Sequence, residues 1–98
     1  MAEVRITPAA TAHLRDIWAY TDATWGESQA DAYLMEIDTI FQQLAGNPQL
    51  GKARPEIRDG SRSIPVKSHV VFHTVTSNKD FVNIIGVLHA RMDIESYL

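Results

Sequence analysis

Apolar positions in the first half of the chain recur with a helical period. Glu3-Val4-Arg5-Ile6 alternates polar and apolar like a short strand, and Thr7-Pro8 follows with an N-cap hydroxyl and a proline suited to a first helical position. Leu14, Ile17, Trp18 and Thr21 then share one helical face, with Trp25 a turn further on, while His13, Arg15, Asp16 and Asp22 fall elsewhere. Gly26 supplies a left-handed stop. A second stripe follows in Ala30, Tyr33, Leu34, Ile37, Ile40, Phe41, Leu44 and Ala45, and Gly46-Asn47-Pro48 ends it. Two amphipathic helices joined so tightly predict an antiparallel hairpin whose stripes need a common surface to cover.

The second half changes to β-rich runs, which supply that surface. Ser61 to Val66, Ser68 to Thr76 and Phe81 to His89 read as a β-meander, with Ser77-Asn78-Lys79-Asp80 as the last turn. Closing that turn at Ser77 and Asp80 puts Phe72 opposite Ile85, Val70 opposite Val87 and His73 opposite Ile84. Val70, Phe72, Phe81, Ile85 and Val87 are then the expected floor for the helices. His69, Val71, His73, Val75, Val82, Ile84 and Leu88 form the other face, too apolar to leave wholly in water. Gly51 to Gly60 reads as a basic surface loop, and Arg91 to Leu98 as a final helical turn. The expected fold is α+β, a single domain over residues 1–98: a short N-terminal strand and an antiparallel helix hairpin packed on a small antiparallel β-sheet.

Composition narrows the function classes. A chain of 98 residues with 45% hydrophobic and 21% charged residues can build one modest core. The absence of cysteine removes disulfides, thiolate zinc sites and cysteine nucleophiles, and agrees with a cytoplasmic location. No window approaches the roughly 20 apolar residues of a membrane span. The formal charge of −3 argues against a generic phosphate-backbone binder. Its distribution is uneven: Arg5 and Arg15 face seven acidic residues before residue 51, whereas seven basic and five acidic residues follow it. A basic partner segment lying on the acidic helices, or a strand added to an open sheet edge, would suit this pattern.

Candidate chemistry is sparse. Lys52, Arg54, Arg62 and Arg91 could hold a phosphate, and His89 or Glu56 could move protons. The expected register, however, sets His73 and His89 on opposite faces. His69 and His73 share a face but stand four residues apart, roughly 13 Å, too far for one metal ion. Trp18 points at the core by its spacing, and Trp25 sits at the hairpin apex, where a tryptophan can anchor an interface. Arg62 and Arg91 form one basic patch only if their strands meet.

The order of elements resembles the ParE/RelE toxin superfamily, and the local motifs resemble its ParE branch. They are Thr7-Pro8-Ala9-Ala10, Leu14-Arg15-Asp16-Ile17-Trp18, Trp25-Gly26 and Asn47-Pro48-Gln49-Leu50-Gly51-Lys52 in the first half. Gly60-Ser61-Arg62-Ser63-Ile64-Pro65-Val66, Ser68-His69-Val70-Val71-Phe72-His73 and Val87-Leu88-His89-Ala90-Arg91-Met92-Asp93 follow. The resemblance implies a toxin of a toxin–antitoxin module, of the kind tied to plasmid stabilisation. Such a toxin is neutralised by a ParD-like antitoxin, inhibits DNA gyrase by binding and needs no cofactor; DNA is met only through the antitoxin. On this reading Arg58, Arg62, Arg91, Met92 and Asp93 meet the target, and Trp18, Trp25, Val71, His73 and Ile84 meet the antitoxin. If the chain instead follows the RelE branch, a ribosome-dependent mRNA endoribonuclease, Arg62, His89 and Arg91 are the catalytic candidates. His73-Thr74 and Met92 stand where ParE-like chains often carry an aromatic-Arg pair and a second basic residue, and the net charge is acidic. These departures suit a third reading, a non-toxic remnant kept for antitoxin binding.

Overall fold

A computed structural model describes residues 2–92, 94 and 98. The chain runs β1 (Glu3–Ile6), α1 (Pro8–Trp25), α2 (Glu27–Gly46), β2 (Lys52–Ala53), β3 (Arg62–Val66), β4 (His69–Val75) and β5 (Phe81–His89). The strands form one sheet in the order β1-β5-β4-β3-β2. The expected antiparallel meander is its centre, and two further strands flank it. Strand β1 pairs with β5 in parallel, with Val4 level with Val82, and β2 lifts two residues of the basic loop onto β3.

Local chemistry explains the hairpin. Thr7 Oγ1 accepts the Ala10 N–H at 3.2 Å as the N-cap of α1, and donates to the Ile84 carbonyl at 2.8 Å, which moors the helix start to β5. Gly26 is the entire link between the helices. Its φ of 95° lies where only glycine sits without strain, and its N–H closes α1 on the Asp22 carbonyl at 2.9 Å.

Except at Val87 and Leu88, the sheet faces are the reverse of the sequence expectation. Ile17 of α1 and Tyr33, Ile37, Phe41 and Leu44 of α2 pack on Val66, Val71, Val82, Ile84 and Val87. Phe72, Ile85 and Leu88 form a second cluster on the far face, covered by Ile57 of the basic loop and by Val70, Met92, Ile94 and Leu98. Both faces of β4 and β5 are apolar, so alternation alone does not say which one receives the helices.

Between them a bulge changes the phase. His73 faces Ile84 as expected, but Phe72 faces Gly86, Val70 faces Leu88 and His69 faces His89, leaving Ile85 as the extra residue of β5. The extra residue moves Val87 and His89 onto the helix side and Leu88 off it. The Val87 N–H then donates to His13 Nδ1 of α1 at 3.2 Å.

Candidate functional site

The sequence-predicted residues divide into three groups. Val71, His73 and Ile84, expected on an antitoxin-facing sheet face, have no exposed surface, because that face is the one the helices cover. His73 shares a hydrogen bond of 3.2 Å with the Pro48 carbonyl through Nε2, so Nε2 carries its proton, and Nδ1 is buried without a partner. Burial holds its pKa below the ordinary imidazole value; the Pro48 bond opposes this and the Arg62 charge adds to it. Trp18 is half-buried at the edge of the hairpin rather than in the core its spacing pointed to, and donates from Nε1 to Asp31 at 2.9 Å, tying α1 to α2. Trp25 is 71% exposed at the hairpin apex.

The basic residues do not converge. Arg62 is half-buried, and its guanidinium donates to the Leu50 and Gly51 carbonyls at 3.3 and 2.7 Å, holding β2 in place. Strand β4 separates β3 from β5, so the strands of Arg62 and Arg91 do not meet. Arg62 is level with His73, and His73 with Ile84, five residues before His89. Arg62 and Arg91 are therefore more than roughly 16 Å apart along the sheet. The trio Arg62, His89 and Arg91 forms no compact constellation. Arg58 is exposed and donates to the Leu98 carbonyl at 3.4 Å, Arg91 is exposed beyond β5, and Met92 belongs to the far-face cluster. Asp93 lies outside the described residues. Arg54 spans Glu56 at 2.7 Å and Ser63 at 3.1 Å, with its guanidinium 5.5 Å from the centre of the Phe72 ring. The Arg54 bond, more than any other influence, holds the exposed Glu56 carboxyl below its ordinary range.

A different set of residues does come together. The bulge places His89 on the helix side, opposite His69, with ring centres 5.3 Å apart. His73 and His89 thus share a face after all, but at opposite ends of it. Tyr33 reaches down from α2 and sets its hydroxyl 2.5 Å from His69 Nδ1 and 3.2 Å from the Val66 carbonyl. Burial lowers the His69 pKa, and the adjoining His89 lowers it further. Burial raises the Tyr33 pKa, with Glu36 adding and a Ser68 backbone bond opposing.

Two cavities meet at this imidazole pair. One, about 320 Å³, runs past His13, Asp16, Ile17, Tyr20, Val87 and Met92. The other, about 300 Å³, runs past Tyr20, Trp25, Gln29, Tyr33 and Lys67. Together they make a groove beside α1, rimmed by Tyr20 and Trp25, each 71% exposed. Sequence reasoning missed it because the His69–His89 pairing depends on the bulge; the signal available was two histidines near the facing ends of adjacent strands. Among the described residues no three His, Cys, Asp or Glu side chains gather as a metal cage, and no helix is long and apolar enough to cross a membrane.

The sequence model of the ParE toxin of the type II toxin–antitoxin system parDE matches residues 4–94. Toxin ParE1 of Mycobacterium tuberculosis is 41% identical over 93 residues, covering 95% of this chain and 94% of that protein. Toxin ParE1 of Caulobacter vibrioides is 36% identical over 98 residues, covering 100% of this chain and 99% of that one. Among solved structures, a chain of the chromosomal ParDE system from P. aeruginosa superposes with a TM-score of 0.77 at 19% identity, over 91% of this chain and 96% of its own. A chain of the toxin–antitoxin complex RelBE2 from Mycobacterium tuberculosis gives a TM-score of 0.56 at 19% identity, over 90% and 96%. At that identity the structural likeness establishes the fold.

Proposed function

The chain belongs to the ParE toxin family of type II toxin–antitoxin systems, and from that premise we propose that it inhibits DNA gyrase by direct binding and is neutralised by a ParD-like antitoxin. It works in the cytoplasm, needs no cofactor and meets DNA only through the antitoxin. Like other modules tied to plasmid stabilisation, it is silent while the antitoxin lasts.

The observation that carries binding over catalysis is the dispersal of the basic residues. Cleaving a phosphodiester requires a proton acceptor, a proton donor and a cation around one phosphate. Arg62 is spent on two backbone carbonyls at the far end of the sheet from His89 and Arg91. A binding surface has no such requirement. Arg58, Arg91 and Met92, on the loop and tail side, remain the target-facing set, with Trp25 on the antitoxin-facing side.

Controlled induction in a sensitive host tests the reading. Gyrase inhibition predicts DNA-damage signalling and trapped gyrase cleavage complexes before translation declines. Immediate loss of translation with cut transcripts would replace it by the endoribonuclease reading, and unimpaired growth by the non-toxic remnant.

A further inference from the structure

The groove beside α1 contains an imidazole pair whose hydrogen bonds are incomplete in a specific way. With the one Tyr33 hydroxyl proton given to the Val66 carbonyl at 3.2 Å, the 2.5 Å contact to His69 takes an Nδ1–H donating to the Tyr33 oxygen, the tautomer assigned in the proposal below. His89 is the opposite case: its Nδ1 accepts the Arg91 N–H at 3.1 Å, so its proton sits on Nε2. Neither Nε2 has a partner among the described residues, and neither is sealed from solvent. The ion pairs among those residues, Arg5–Glu3, Arg54–Glu56 and Lys67–Glu36, leave both rings without a carboxylate.

We propose that this groove seats an aspartate or glutamate side chain of the antitoxin at the Nε2 atoms of His69 and His89, with apolar neighbours of that residue lying against Tyr20 and Trp25. The proposal rests on the antitoxin reading above. Charge and shape argue for this occupant: two adjoining imidazoles have unpartnered Nε2 atoms, Lys67 lines the groove on their α2 side as a cation, and Ile17, Tyr20, Trp25 and Val87 give it an apolar and aromatic wall, with Asp16 as the carboxylate on its other flank.

A proton balance follows. His89 already offers Nε2–H to a carboxylate oxygen. His69 offers a second donor only on taking up a proton at Nε2, and it can do so while keeping its Nδ1–H bond to Tyr33. His89 could not become doubly protonated without losing the Arg91 N–H bond, so uptake is limited to one proton, on His69.

The other charges around the pair do not supply this proton or the anion. Glu36 of α2 is held by Lys67 of the β3–β4 turn at 3.0 Å, and Asp16 of α1 lies beside His13, whose Nδ1 is engaged by Val87. Arg91 stands beyond β5 as a cation. In the free chain burial and His89 keep His69 neutral; the bound carboxylate reverses that preference.

The test is calorimetric titration of the full chain with the antitoxin encoded beside it, in two buffers of different ionisation enthalpy. Binding is expected to take up part of a proton, at most one, near neutral pH, and to tighten about threefold to tenfold from about pH 8 to about pH 6. His69→Gln should bind with no uptake at that site and a nearly flat pH profile. Replacing the antitoxin's Asp and Glu residues one at a time by their amides should identify one whose loss has the same effect. Tight binding without proton uptake, or uptake unchanged in His69→Gln, would overturn the carboxylate seat and leave the antitoxin reading standing. Absence of binding would remove both. The measurement on the unaltered chain decides the matter even if the variant does not fold.

Discussion

Single side chains that join two elements dominate the energetics at the residue scale. Thr7 is such a joint, since one hydroxyl caps α1 and bonds β5. Thr7→Ala should cost about 1–2 kcal/mol, read from chemical denaturation midpoints, and Thr7→Ser should recover most of it. Arg62 is another: it was legible as a basic residue at a strand start, but not as a clasp, because its acceptors are backbone carbonyls that the sequence does not place. Arg62→Ala should lower stability by about 1–3 kcal/mol, while Arg91→Ala, at an exposed position, should stay within about 0.5 kcal/mol of the parent. Loss of toxicity in Arg91→Ala would then report target contact, and loss in Arg62→Ala would have to be corrected for unfolding.

Among the elements, the helices were the most legible part. The α2 stripe read from spacing is the one the sheet covers, whereas in the α1 stripe Leu14 and Ile17 join the core and Trp25 stays in solvent; the caps at Thr7 and Gly26 lie where local chemistry put them, and α2 ends at Gly46 with Asn47 as its C-cap. Helical period carries its own direction, because only one face is apolar. The strands were less legible. Their limits came within a residue of those observed, yet both faces are apolar and a single extra residue in β5 exchanges Val87 for Leu88. Strand β2 was missed because two residues, Lys52 and Ala53, carry no period. Gly51 explains why the strand docks: its φ is 95°, and a Cβ there would stand 2.5 Å from the Ser63 carbonyl oxygen. Gly51→Ala is expected to loosen β2 and raise amide exchange at Lys52 and Ala53, whereas Gly60→Ala, with nothing within 4 Å, adds only conformational strain of about 1 kcal/mol.

Acidity acts on the molecule as a whole through its buried and half-buried imidazoles. Burial lowers the pKa of His13, His69 and His73 alike from the ordinary value of 6.5. The unfolded chain therefore binds protons more readily than the folded one. Stability should be full above about pH 6.5 and fall as the pH drops through that value toward the lowered folded ones, which a series of urea midpoints will show. A rise in stability over that window would contradict the placement of these histidines.

The far face is the second property of the whole molecule. Met92, Ile94 and Leu98 cover Phe72, Ile85 and Leu88, so deleting residues 91–98 should expose that cluster and destabilise the chain by on the order of 3 kcal/mol. The truncated protein should bind an apolar dye that the full chain ignores.

From the sequence alone came the helices, their hairpin, the three central strands and the family resemblance, because each depends on short-range period, capping or motif order. The tertiary structure alone decided which sheet face meets the helices, where β1 and β2 join, and which histidines become neighbours. Those outcomes turn on pairing between residues distant in the chain, and one unpaired residue, Ile85, shifts everything after it by one position. A pattern of period two has no means of counting that residue until its partner strand is in place.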